Sequence, residues 1–214
     1  MQIKELHYKR RRNGSEVSVV FSDSSIMALD ADLAVRFHLA RGMEISSAKM
    51  EEIRKADELL RARRKVIQYL SVRKKSTLEA RHYLQKASFS PDTINEAISV
   101  ADELGYLNDS DYAEAFTRTR QKSGTKGPRI VAAELQQRGI DRDEARRVVA
   151  SMAEPNTQME MARRVAAKKY PSIKDEADQA KASRRLAQHL ARRGFDPDIC
   201  DRVTREFFGD PTLF

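Results

Sequence analysis

Three stretches of this chain carry the same residue types in the same order, and this repetition limits what it can fold into more than any other feature. Aligned without gaps on a leucine, the first runs Ala80, Leu84, Phe89, Ser90, Pro91, Asp92 and Ala97. The second runs Val131, Leu135, Gly139, Ile140, Asp141, Arg142, Asp143 and Val148, and the third Leu186, Leu190, Gly194, Phe195, Asp196, Pro197, Asp198 and Val203. The leucines are 51 and 55 residues apart. Ala80, Val131 and Leu186 stand one helical turn before their leucines, on the same face. Gly139 and Gly194 fit the left-handed residue that ends a helix, and Ser88 departs from that pattern. Phe89, Ile140 and Phe195 supply an apolar contact across the turn. Ser90, Asp141 and Asp196 are good N-caps, and Pro91 and Pro197 fall where a missing N–H is harmless. The motif is helix, tight turn, helix.

A further helix precedes each pair. Val66, Ile67, Tyr69 and Leu70 form its apolar face in the first unit, with Ser76 and Glu79 as a capping box for the next helix. Tyr112, Ala115 and Phe116 follow the Asn108-Asp109 start signal in the second. In the third, Thr157 and Glu160 suggest a capping box ahead of Met161, Val165 and Tyr170. The module is therefore three helices in roughly fifty residues, a size that buries little alone and favours stacking.

Ahead of the repeats, β-prone residues flank Asn13-Gly14: Ile3, Leu6 and Tyr8 on one side, Val17, Val19, Val20 and Phe21 on the other. This predicts a β-hairpin, then a loop over Ser22 to Ser25. From Asp30 the pattern is helical, with a stripe of Leu33, Phe37 and Ala40 ending at Gly42. Ser46 or Ser47 caps a helix whose inner face is Met50, Ile53 and Ala56. No later strand is predicted. The expected fold class is all-α: three tandem three-helix repeats in an elongated curved array, with a small N-terminal β-hairpin extension. The expected divisions are 1–56 for the hairpin and its helices, then repeats at 57–106, 107–154 and 155–214.

The chain carries 40 Lys and Arg against 32 Asp and Glu, a formal charge of +8. The segment Arg54 to Lys86 holds eleven basic and three acidic residues and accounts for that excess alone. Between Arg61 and Lys75 there is no carboxylate. Arg61, Arg63, Arg64 and Lys65 share one helix, and Arg73, Lys74 and Lys75 lie at its end. A solvated helix face would normally carry balancing acids, so this run points to phosphates or an acidic protein face. Tyr69 and Tyr83 are the aromatics near it, too few to argue for base stacking.

No active site is legible. His7, His38, His82 and His189 are scattered, without metal-ligand spacing. Gly124-Thr125-Lys126-Gly127 follows a helix rather than a strand, which makes it a linker rather than a phosphate cradle. The single cysteine, Cys200, cannot form an internal disulfide and is expected to be a buried thiol. No apolar run approaches the ~20 residues that span a bilayer, and Met1 to Tyr8 lack a signal-peptide core. A cytoplasmic, non-enzymatic protein without cofactor or metal is expected.

The stretch Gly105-Tyr106-Leu107-Asn108-Asp109 followed by Tyr112-Ala113 resembles the RecX family. So do Gly127 opening a helix, Glu134-Leu135, and Arg138-Gly139-Ile140. Upstream, Tyr69-Leu70-Ser71, Arg73, Ser76 and Glu79 match as well. The likeness covers about Leu59 to Phe208, and a β-hairpin extension occurs in some members. One departure is that Arg129 directly follows Pro128, while Ile130 fills the slot where the family often has arginine. The resemblance implies three three-helix repeats and no catalysis. It implies binding along the groove of the RecA filament, with inhibition of strand exchange, ATP hydrolysis and co-protease activity, and so modulation of recombination, repair and the SOS response. The expected partner is RecA protein or its filament, with single- or double-stranded DNA as a non-specific second partner. No membrane contact and a monomeric state are expected. Candidate filament- or phosphate-binding residues are the seven of the basic run, together with Arg129, Arg138, Arg192 and Arg193. A different class remains open: a helix-turn-helix DNA-binding protein, which the short helix pairs and charge would suit. Against it, the second helices share no Arg/Asn/Gln face, with Asn95 and Glu96 in one unit and Arg146 and Arg147 in another.

Overall fold

A computed structural model of the chain describes residues 1–11 and 14–209. They form two compact units, Met1–Leu107 and Asn108–Phe214.

The first unit opens with an antiparallel sheet of β1 (Ile3–Arg11), β2 (Gly14–Phe21) and β3 (Ile26–Asp30), in that order. The hairpin expected from sequence is β1 and β2, joined by the loop expected over residues 22–25 to a third strand that was not anticipated. Gly14 belongs to β2 and pairs with Arg11, and Asn13 lies outside the described residues. Alternate residues Ile3, Val17, Val19, Phe21 and Leu29 are buried on one face, as period-2 side chains must be. They pack against Leu33 and Ala34 of α1 (Ala31–Arg36) and against Met50 and Ile53 of α2 (Ser47–Val72). The Leu33–Ala40 stripe is corrected here. The helix stops at Arg36, His38 takes φ +52°, and the reversal turns Leu39 inward while Ala40 is exposed. Ser46 caps α2 as expected, accepting from the Lys49 N–H at 3.1 Å.

At 26 residues, α2 is about 39 Å long and serves two cores. Its first half covers the sheet. Its second half buries Ala62, Val66 and Leu70 against α3 (Thr77–Lys86) and α4 (Pro91–Glu103), giving the first three-helix repeat. Ser76 and Glu79 form the expected capping box.

The second unit contains α5 (Asp109–Ser123), α6 (Pro128–Gln136) and α7 (Arg142–Ala153), then α8 (Pro155–Lys169), α9 (Gln179–Arg192) and α10 (Pro197–Phe208). One helical turn at Tyr170–Ser172 follows α8. The Thr157/Glu160 capping box is not formed. Pro155 starts α8 two residues earlier, so Thr157 lies inside the helix. A single apolar core runs through both repeats of this unit, from Tyr112, Leu135 and Met152 to Met161, Leu186 and Phe195.

The repeated sequence produces a repeated turn. Leu84, Leu135 and Leu190, all fully buried, each lend their carbonyl to the N–H of Phe89, Ile140 and Phe195, at 3.4, 3.1 and 3.3 Å. The residue before each acceptor-bound N–H is left-handed: Ser88, Gly139 and Gly194, at φ +61°, +84° and +86°. This is the Schellman closure of a helix, with the leucine and the apolar residue in contact across it. The third turn also docks the two repeats of the second unit. The Gly127 N–H donates to the Arg193 carbonyl at 2.8 Å, and the Arg129 N–H to that of Gly194 at 3.3 Å. A Cβ on Gly127 would lie 2.4 Å from the Gly194 oxygen, so the backbones meet where no side chain fits.

Candidate binding surface

The basic run does have carboxylate partners, but they come from elsewhere in the chain. Arg61 Nε lies 2.8 Å from Asp57, Arg63 is 2.8 Å from Glu96 on α4, and Arg64 pairs with Asp30 at the end of β3 and Asp32 on α1. Arg73 approaches Glu79 at 3.9 Å. Asp57 and Glu79 lie just outside the Arg61–Lys75 stretch, and tertiary contacts bring in Glu96, Asp30 and Asp32. Their exposure decides what solvent meets. The side chains of Asp57 and Asp30 are 10% and 9% exposed, whereas those of Arg61 and Arg64 are 64% and 42% exposed. Asp57 and Asp30 thus lie beneath the guanidiniums of Arg61 and Arg64 and hold them in place, whereas Glu96 and Asp32 are themselves exposed, at 57% and 82%.

Tyr69 and Tyr83 stack face to face, centroids 4.0 Å apart and planes 6° apart. Lys75 covers Tyr69 with Nζ at 4.4 Å, and Lys65 lies over Tyr83 at 5.7 Å. Both rings are half-buried. Each therefore has one face on the other ring and a lysine against it, an arrangement that fixes the cations and leaves little room for a base. Lys74 is exposed at the end of the run. Further back on α2, a shallow depression is lined by Arg61, Arg64 and Lys65 together with Ile67 and Phe89. Rings or carboxylates thus hold Arg61, Arg63, Arg64, Lys65, Arg73 and Lys75, and Arg61, Arg64 and Lys65 meet at this depression.

The other four candidates lie in the second unit and do not form one cluster. Arg138 is half-buried; it donates to the Glu134 carbonyl at 2.9 Å and covers Phe116 at 4.8 Å. Arg120 covers the same ring at 4.7 Å and lies 2.9 Å from the Glu134 carboxylate, which Lys126 also reaches. Burial pushes that carboxyl group up, but Lys126, Arg120 and Arg138 outweigh burial and hold it below its ordinary range. This hub was not legible, since its members come from α5, α6 and their linker. Arg192 and Arg193 are exposed at the end of α9, and Arg193 donates to the Thr125 carbonyl at 3.3 Å. Arg129 is exposed at the start of α6, while Ile130, in the slot where the RecX pattern has arginine, packs against Gly194.

Among the described residues there is no group of three metal-ligating side chains, and no helix is long and apolar enough to cross a membrane. Burial drives the Cys200 thiol up to about 11. His189 is held down by burial and then by Arg193, Lys169 and Arg192.

The RecX family model for its second three-helix domain matches residues 108–149, and that for its third matches 156–204. Regulatory protein RecX of Bacillus subtilis is 31% identical over 89% of this chain and 71% of its own length. RecX of Bacillus velezensis is 30% identical over 92% of this chain and 74% of its own length. A crystal structure of regulatory protein RecX superposes with a TM-score of 0.73 at 18% identity, covering 94% of this chain and 98% of that one. RecX from Lactobacillus salivarius gives 0.62 at 26% identity, over 71% of this chain and 97% of its own. With two of the family's domain models matched in order and a relative 31% identical over 71% of its own length, this chain belongs to the RecX family of regulatory proteins.

Proposed function

We propose that the protein is a non-enzymatic regulator that binds the RecA nucleoprotein filament. Through that contact it lowers RecA's strand-exchange, ATPase and co-protease activities. The observation that carries this reading is the α2 surface, where exposed cations stand over buried carboxylates. Such a face is held rigid and needs no rearrangement to meet phosphates or acidic side chains, so little ordering entropy is lost on binding. Family membership supports RecA as the partner. Base-specific DNA recognition is less well supported, because the second helices share no Arg/Asn/Gln face and several of their polar side chains are engaged within the protein. Arg81 holds Asn95 at 2.6 Å, Arg63 holds Glu96, and Arg147 holds Glu144 at 2.7 Å.

The test is co-sedimentation of the full chain with RecA filaments, with free RecA and with naked DNA, at two salt concentrations. Filament binding should exceed both others and fall with salt. Reversal of Lys65, Lys74 and Lys75 to Glu should weaken it tenfold or more; Arg61, Arg63 and Arg64 are left intact because they anchor Asp57, Glu96 and Asp30. Unchanged binding by the reversed protein, or equal affinity for naked DNA, would reject this reading.

A further inference from the structure

The second unit has a groove along α6 and α7. Arg129, Arg142 and Arg146 line it, against one carboxylate, Asp196, which already accepts a 2.7 Å hydrogen bond from the Gln158 amide. Arg146 reaches Asp143 only at 3.6 Å, and that carboxylate is 89% exposed, a contact that screening leaves weak. Among the described residues no ion pair joins Arg129 or Arg142 to a carboxylate.

Two of these arginines also stand where folding disfavours them. Arg129 and Arg142 lie in the first turns of α6 and α7, at the positive end of the helix dipole, where acids stabilise and cations do not. Acids do occupy the first turns of α1, α3, α4 and α10, and Asp143 and Glu144 stand beside Arg142 in α7, but α2 and α9 also carry Lys49 and Lys181 in theirs. What sets the two arginines apart is the groove they share with Arg146.

The rest of the lining says what is bound. Ala132, Val149 and Ala153 give the groove a non-polar surface of small side chains. A nucleic-acid backbone gains little from such a surface, but an apolar side chain does. Guanidiniums on either side can grip carboxylates in their two-pronged geometry. We propose that this groove docks an acidic segment of a protein partner, one in which an apolar side chain is flanked by carboxylates. The assignment stands whatever polymer the protein serves.

The test uses the full chain and a fluorescent synthetic peptide with Asp and Glu around a central Leu, read by anisotropy. The native protein should bind it, and the same peptide with Asn and Gln should bind at least tenfold more weakly. Arg142→Gln with Arg146→Gln should lose tenfold or more, and Ala153→Gln, which fills an exposed part of the lining, should also weaken binding. Arg184→Gln with Arg205→Gln removes the same charge from exposed positions of α9 and α10 and should change little. Circular dichroism melts check that each variant is folded. The proposal fails if the native protein does not bind the peptide, or if the double variant binds as well as the native protein. It also fails if the control pair loses as much. A single-stranded oligonucleotide that binds more tightly and loses affinity with Arg142 and Arg146, but not with Ala153→Gln, would make the groove a nucleic-acid site instead. Filament binding by the same samples separates failure here from failure of the regulator assignment.

Discussion

Ser88 stands where the other two repeats have glycine, and it adopts their backbone nonetheless, at φ +61°. The closing bonds explain why. The Ser88 N–H reaches the Gln85 carbonyl at 2.9 Å and the Phe89 N–H reaches that of Leu84, and buried Leu84 and half-buried Phe89 hold the turn shut. A left-handed L-residue costs about 1–2 kcal/mol, and glycine returns part of that through its greater freedom when unfolded. Ser88→Gly should therefore stabilise the protein by about 0.5–1 kcal/mol, measured by urea denaturation. Gly194→Ala should do the opposite, by about 2–4 kcal/mol, because its Cβ would fall 2.6 Å from the Ile130 nitrogen as well as requiring φ +86°. A destabilised Ser88→Gly would mean that the serine is held by something other than the turn. This much was legible in the sequence, since leucine, left-handed residue and apolar contact lie within six residues of one another. What Gly194 touches was not, because Ile130 is 64 residues away.

Helix starts show the same divide between local and distant signals. Ser90, Asp141 and Asp196 all take the N-cap position that spacing assigns them, yet only Asp141 caps its own helix, accepting from the N–H groups of Asp143 and Glu144. At α4 the work passes to Glu58 of α2, which accepts from the Ser90 N–H at 2.7 Å and from the Ser90 and Thr93 hydroxyls. At Asp196 the Gln158 side chain of α8 accepts the backbone N–H at 3.2 Å. Glu58→Ala should cost about 1–3 kcal/mol at neutral pH, the range for hydrogen bonds to a charged group. Burial raises the Glu58 carboxyl, but the Ser90 N–H and the two hydroxyls outweigh it, so the folded value lies below the ordinary 4.5. A depressed folded value gives stability that is complete above about pH 4.5 and lost as pH falls through the folded value. Thermal melts from pH 7 to pH 3 should show native and Glu58→Ala proteins converging in acid, and a constant gap would contradict the assignment. Element type was readable where apolar period and caps agreed, as at Ser46 and Ser76. It was missed at β3, whose five residues are too few to display alternation, and at Thr157, where a capping-box pattern was overruled by the proline two positions earlier.

At the scale of the molecule, the sequence repeat counts three modules while the apolar cores divide the chain differently. The second and third modules share one core and are joined backbone to backbone at Gly127 and Gly194; α2 likewise joins the sheet to the first module. A piece ending at Glu154 would expose Met152, Leu135 and Ile140 and lose the carbonyls that receive the Gly127 and Arg129 N–H groups. Its 108–154 part should not fold, because that part loses half of a shared core, while the first unit keeps both of its own. A piece comprising 108–214 keeps that core whole and should melt as one cooperative transition, while 108–154 should show none. This division supplies the test of how a filament regulator gains affinity. If each unit contributes a separate weak contact, joining them raises the effective concentration of the second once the first is bound, and the whole exceeds either part. A filament offers its surface repeatedly and a free RecA subunit only once. The full chain should therefore sediment with filament at least tenfold more tightly than 108–214 does, and should prefer filament over free RecA by a wider margin. Equal affinity of the piece and the full chain for filament would place the whole interaction in the second unit and end the two-contact mechanism, while leaving the proposed regulator standing.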